Sequence, residues 1–246
     1  MSETSGPSIE SPVLIQIPGV PAVVTMAVFV ILVLAALTLT ARAKMKLVPN
    51  PLQNFFEFVL SFWWEAGEGL MGHEISSFFP LFTVIFFYVL FGNLLGLVPG
   101  FLSPTSNLST NAALALIVFL STHYFGIRKK GFLRYFRHFI EGVPWWLMPL
   151  MFIIHMIGEL VRPVSLTVRL FGNLIAKEII LSVLVLLILI FLPSHSIIAK
   201  SLTIFPFILR PLIVVLGTLV GVIQASVFTI LSMIYIGGAV SEGHEH

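Results

Sequence analysis

The run VPWWLMPLMFIIHMIGELVRPVSLTVRLFGNLIAKEIILSVLVLLILIFL, Val143 to Leu192, decides how this chain is built. As helix its roughly 50 residues would extend about 75 Å, against a bilayer core of about 30 Å. It cannot be one upright span. Either it is two helices broken near Pro163, or it is one long helix, steeply tilted or nearly in the membrane plane and kinked at that proline. Glu159, Arg162, Arg169, Lys177 and Glu178 stand inside it. Charges in such apolar surroundings are costly and by default functional.

Arg169 lies close to the midpoint of the stretch, too far from either interface to snorkel. A structural ion pair is the plain alternative, and helical spacing tests it. At about 100° per residue, Glu178 points to nearly the opposite face and Glu159 lies about 80° away. Neither is an i,i+3 or i,i+4 partner, whereas Glu159 and Arg162 are such a pair. Arg162, Ser165, Arg169 and Asn173 follow at three- and four-residue steps and form one polar stripe. His155 falls within about 40° of the Arg169 face. It reads first as a buried, neutral, hydrogen-bonded histidine and second as part of an exit path. His73, His123, His138 and His195 have no metal-ligand spacing, and no cofactor is implied. His244-Glu245-His246 reads as a solvated tail.

The rest of the chain is of the same kind. Of 246 residues 58% are hydrophobic and 10% charged, and the mean hydropathy is +1.06, so water is not the main solvent. The absence of Cys and Asp excludes disulfides, thiolate metal sites and Asp-based catalysis. A net charge of +2 is too small for a nucleic-acid partner. Residues 21–40 form an uncharged span ending on Arg42, Lys44 and Lys46; the acidic Glu3 and Glu10 before it argue against a secretory signal. Further spans are expected at 78–98 and 111–127, joined by a Pro-, Ser- and Asn-rich turn. The segment 52–71, rich in Phe and Trp but carrying Glu57, Glu65 and Glu68, reads as an interfacial helix, although a loop packed on partner subunits has the same composition.

Orientation follows from the basic residues, five of which lie between Arg128 and Arg137. With that 128–142 loop and Arg42–Lys46 both cytoplasmic, residues 1–20 are outside and the 241–246 tail is inside. The expected architecture is thus an all-α integral membrane protein with about five crossing helices plus the interfacial one. Its last two, 143–192 and 204–240, are long, tilted and joined as a hairpin.

Certain runs also carry a family likeness. Arg162-Pro163-Val164-Ser165-Leu166-Thr167-Val168-Arg169-Leu170-Phe171-Gly172-Asn173, continuing to Ala176 and Glu178, resembles the signature of F-type ATP synthase subunit a, bacterial type. Phe91-Gly92-Asn93-Leu94-Leu95-Gly96-Leu97-Val98-Pro99-Gly100 resembles the end of an earlier helix in that family, and Val222-Ile223-Gln224-Ala225 its last helix. The resemblance implies a multi-pass protein of the bacterial plasma membrane whose terminal hairpin lies against a rotor ring of c subunits. The b-subunit stalk and the rest of the complex are its other partners, and it has no catalytic site of its own. Two offset half-channels would carry H⁺, with Na⁺ an alternative ion, to and from a ring carboxylate. By motif position Arg169 matches the essential arginine, Glu178 the acid of the outer half-channel, and Asn173, Ser165 and Gln224 its polar lining. Lys177, His155, Glu159 and Arg162 are candidate modulators. Lys177 stands beside Glu178 where many members of the resembled family have a small residue, and Gly217, seven before Gln224, stands where some carry an ionisable side chain. The rival expectations are a self-contained ion-coupled transporter, which the absence of an internal repeat disfavours, and a purely structural membrane subunit.

Overall fold

The computed structural model describes residues 19–43, 45–46, 49–98, 100–138, 144–193 and 197–240. The N-terminal segment before residue 19, His195 and the 241–246 tail lie outside the described residues. Among the described residues eight α-helices follow one another: α1 (Ala22–Ala43), α2 (Pro51–Met71), α3 (Ile75–Leu95), α4 (Leu108–Lys130), α5 (Phe132–His138), α6 (Met148–Phe191), α7 (Ile197–Leu202) and α8 (Ile204–Val240). Short 3₁₀ turns at Gly72–Glu74 and Pro104–Ser106 join α2 to α3 and lead into α4. There is no strand among the described residues. Five helical runs among the described residues are long and apolar enough to cross a membrane, one of them the nearly continuous Gln53–Leu95.

Local chemistry sets most boundaries. Pro51 sits in the first turn of α2, where its missing N–H costs nothing. Gly72, at φ 60°, ends that helix in a conformation that other residues adopt at a cost. Asn107 caps α4, its side-chain oxygen accepting from the Ser109 amide at 2.8 Å. The 44-residue α6 runs unbroken through Pro163, so the broken-helix alternative is set aside. One ring in a helix this long removes a single backbone bond, and the neighbouring turns hold the path.

α8 is the central element: α2, α3, α4 and α6 all pack on it. α6 rests on α4 and α8, while α1 stands to the side against α3. Trp63, Phe82, Val89, Phe228, Met233 and Ile236 fill the core. Between apolar helices in lipid the attraction comes from close packing rather than from water exclusion. Gly217, Gly221 and Gly237 of α8 provide that closeness. A Cβ on Gly221 would lie 3.3 Å from the Asn93 Cβ, and one on Gly237 would lie 2.8 Å from Met71 Cγ.

The described part of the basic loop is helical, as α5. α5 folds back on α4, and the Tyr135 ring fills the space left by Gly126, where a Cβ would meet it at 2.5 Å. Lys129 at the end of α4 forms an ion pair with Glu74. Burial pushes the Tyr135 hydroxyl up to about 12; the Glu159 carboxylate acts the same way, against the pull of Arg162.

Candidate functional site

Three antiparallel contacts define how α6 meets α8. Arg162 lies over Tyr235, Asn173 bonds Gln224, and Lys177 packs on Gly217, so residues advance along one helix as they recede along the other. The α3 end joins this pair at Asn93. The three helices enclose a cavity of about 140 Å³ lined by Asn93, Asn173, Lys177, Gly217, Gly221 and Gln224, among others. That volume admits several water molecules, and the lining offers them polar partners.

Each polar side chain here is placed by a particular bond. Asn173 Nδ2 donates to Gln224 Oε1 at 2.9 Å. The Gln224 Nε2 is buried and has no hydrogen-bond partner among the described residues, leaving a donor that a water in the cavity would satisfy. Lys177 Nζ donates to the Asn93 carbonyl at 3.3 Å, and its stem runs across Gly217, where a Cβ would stand 2.7 Å from Lys177 Cδ. The glycine at 217 thus makes room for the lysine at 177.

Behind Asn93 a buried polar network leads to the turn before α4. Asn93 Nδ2 donates to the Gly221 carbonyl at 3.3 Å and Asn93 Oδ1 accepts from Thr105 Oγ1 at 2.9 Å. Ser103 Oγ donates to the Gly92 carbonyl at 2.7 Å, and Asn111 Nδ2 to the Thr105 carbonyl at 2.8 Å. These bonds compensate the burial of four polar side chains and fasten the 103–111 segment to one wall of the cavity. Sequence reasoning did not single out Asn93, Ser103, Thr105 or Asn111 as site residues. The available signal was the Asn inside the Phe91–Gly100 run, together with a four-residue glycine spacing at Gly217 and Gly221.

The remaining expected residues do not line this cavity. Arg169 and Ser165 are exposed, and Arg169 has no hydrogen bond or ion pair among the described residues. Its neighbours by helical angle on α6, Ser165 and Gly172, are exposed with it. Glu178 is half-buried and has no hydrogen bond or ion pair among the described residues. The supposed stripe is therefore divided: Arg162 turns to Glu159 at 2.5 Å and Asn173 turns to α8, leaving Ser165 and Arg169 outward. His155 requires a correction. It is exposed, not buried, because every residue of α6 from Phe152 to Gly158 is exposed; its Nδ1 lies 3.2 Å from the Met151 carbonyl oxygen one turn back. No group of three metal-binding side chains occurs among the described residues.

Comparison with known proteins adds to this geometry. The sequence profile of the family described as ATP synthase A chain matches residues 22–237. Over 215 residues the chain is 43% identical to ATP synthase subunit a of Geobacter sulfurreducens, covering 87% of this chain and 86% of that one. It is 42% identical over 221 residues to ATP synthase subunit a 1 of Syntrophotalea carbinolica, covering 90% and 86%. Subunit a of Trichlorobacter lovleyi is 42% identical over 87% of this chain and 85% of its own. With five membrane-length helical runs, the Arg162–Asn173 signature on α6 and Gln224 facing it from α8, this chain belongs to the ATP synthase subunit a family.

Proposed function

We propose that the chain is the proton-translocating stator subunit of an F-type ATP synthase, with two offset half-channels meeting at a ring of c subunits. The observation that carries this reading is Arg169: a guanidinium exposed on an outward face of a mainly apolar helix, with no partner in its own chain's described residues. A permanently charged group on such a face calls for an anion from outside the chain. A carboxylate on each passing ring subunit has that chemistry. Arg169 favours the deprotonated carboxylate and blocks direct proton passage between the half-channels. The cavity at Asn173, Lys177 and Gln224, with Glu178 beside it on α6 and Ser165 toward Arg169, supplies polar groups for the outer route.

The 128–142 loop and the C-terminus face the cytoplasm on this reading, α2 lies along the inner surface, and the b-subunit stalk holds the chain against rotation. Mild purification should therefore bring down an oligomeric, carboxylate-bearing proteolipid. Recovery of an active ion carrier free of any such ring would replace the reading with a self-contained transporter. Orientation has its own check in this Cys-free chain. A cysteine at the exposed Ser109 should react with an impermeant thiol reagent from outside intact cells, and reaction only in inverted vesicles would reverse the topology.

Lys177 is the feature of the outer route that invites a pH experiment. Its ammonium lies against the cavity and one residue from Glu178, so its removal changes the electrostatic setting of the carboxylate. Lys177→Gly should move at least one limb of the pH profile of ATP-driven pumping. A profile superimposable on the parent would reduce Lys177 to packing in the Gly217 notch.

A further inference from the structure

Arg162 raises a problem that Arg169 alone does not. Seven residues apart on one helix, the two cations differ by only about 20° in direction and about 10 Å along the axis. An extended Arg162 would present a second guanidinium on the face where Arg169 stands. The structure keeps it elsewhere. Its Nη1 lies 2.5 Å from Glu159 Oε1, and its Cζ lies 4.9 Å from the Tyr235 ring centroid on α8. Glu159 is 8% exposed, held where α6 meets Thr122 and Phe119 of α4. Tyr135 of α5 acts electrostatically on the same pair, but its hydroxyl stays neutral at physiological pH. Glu159 is therefore the anion that fixes where Arg162 points, with the Tyr235 ring face as a weaker second attraction.

We propose that Glu159 is a positioning residue that holds Arg162 off the exposed face of α6, so that Arg169 is the cation this face presents. The inference rests on the proposed role of Arg169. If a ring carboxylate must pair with Arg169 and then leave it, a mobile second arginine within about 10 Å would compete for that carboxylate. Pairing with Glu159 neutralises the competitor and turns its guanidinium toward the Tyr235 ring of α8.

An ordinary structural ion pair makes the opposite forecast, which is what renders the proposal testable. Removing Arg162 strands a buried carboxylate, whereas removing Glu159 leaves an arginine free to extend into exposure. As a structural pair, Arg162→Gln should thus be the worse of the two changes. As a positioning pair, Glu159→Gln should be worse in proton pumping measured per assembled complex.

The experiment compares ATP-driven pumping in inverted vesicles, normalised to subunit content, for Glu159→Gln, Arg162→Gln, the double variant and Arg169→Ala. Expected are a loss of about tenfold or more in Glu159→Gln, as a competing like charge in a low-dielectric site would produce, and a change within about twofold in Arg162→Gln, where no competitor is left. The double variant should recover to the Arg162→Gln level. Normalisation removes any effect on assembly, and if Glu159→Gln fails to assemble at all, the double variant decides. Near-normal pumping by Glu159→Gln, greater damage from Arg162→Gln, or a double variant that does not recover would each overturn the proposal. Normal pumping by Arg169→Ala would instead remove the functional reading on which it rests.

Discussion

Arg169→Ala should abolish both ATP-driven proton pumping and ATP synthesis while the complex assembles with its normal subunits. The first half of that expectation is electrostatic. Arg169 is exposed on an outward face of α6 and lacks a polar partner in the described residues, so its removal strands no anion among them. Nothing in the packing of α6 on α4 and α8 depends on it, since Leu166 and Leu170 carry the buried side of that turn. Assembly should accordingly survive. What disappears is the fixed charge that a ring carboxylate would meet between two half-channels. Without it the carboxylate has no reason to release its proton there, and passive leak should rise. Arg169→Lys should also fail or nearly fail, because an ammonium lacks the planar fork of donors and loses its proton far more readily when desolvated. The measurement is fluorescence-quench pumping in inverted vesicles beside a subunit blot. Normal pumping by a fully assembled Arg169→Ala complex would make the arginine a packing residue and end the mechanism.

Glu178→Gln should slow proton flux by about ten- to a hundredfold, the scale expected when a proton-transferring side chain becomes one that cannot titrate. The change is nearly isosteric, and Glu178 makes no hydrogen bond or ion pair among the described residues that its loss would break. Assembly should again be unaffected, which distinguishes a defect in transfer from one in folding. The adjacent cavity, with Lys177 at its Asn93 edge, offers water a route but no second carboxylate. The defect should therefore not be bypassed. Synthesis driven by an imposed proton gradient, measured over a range of gradient sizes, checks this. A Glu178→Gln complex that matches the parent rate at every gradient would place the outer route elsewhere.

The membrane class, the number of crossing runs and the placement of Arg169 on α6 were legible in the sequence alone. Each depends on local quantities: apolar length against bilayer thickness, the positions of basic residues, and the angle between side chains on one helix. The Glu159–Arg162 pair was legible for the same reason, being one turn apart on one helix. Continuity through Pro163 was not, because whether a proline breaks a helix depends on what the surrounding helices hold in place. The exposure of His155 also depended on how far along α6 the other helices pack. The cavity needed the tertiary structure entirely. Asn93, Asn173, Lys177 and Gln224 lie on three helices and converge only because Gly217 and Gly221 let α3 and α6 approach α8. Spacing along a chain sets the angles within a helix, but which helix faces which, and how closely, is settled by packing between segments far apart in sequence.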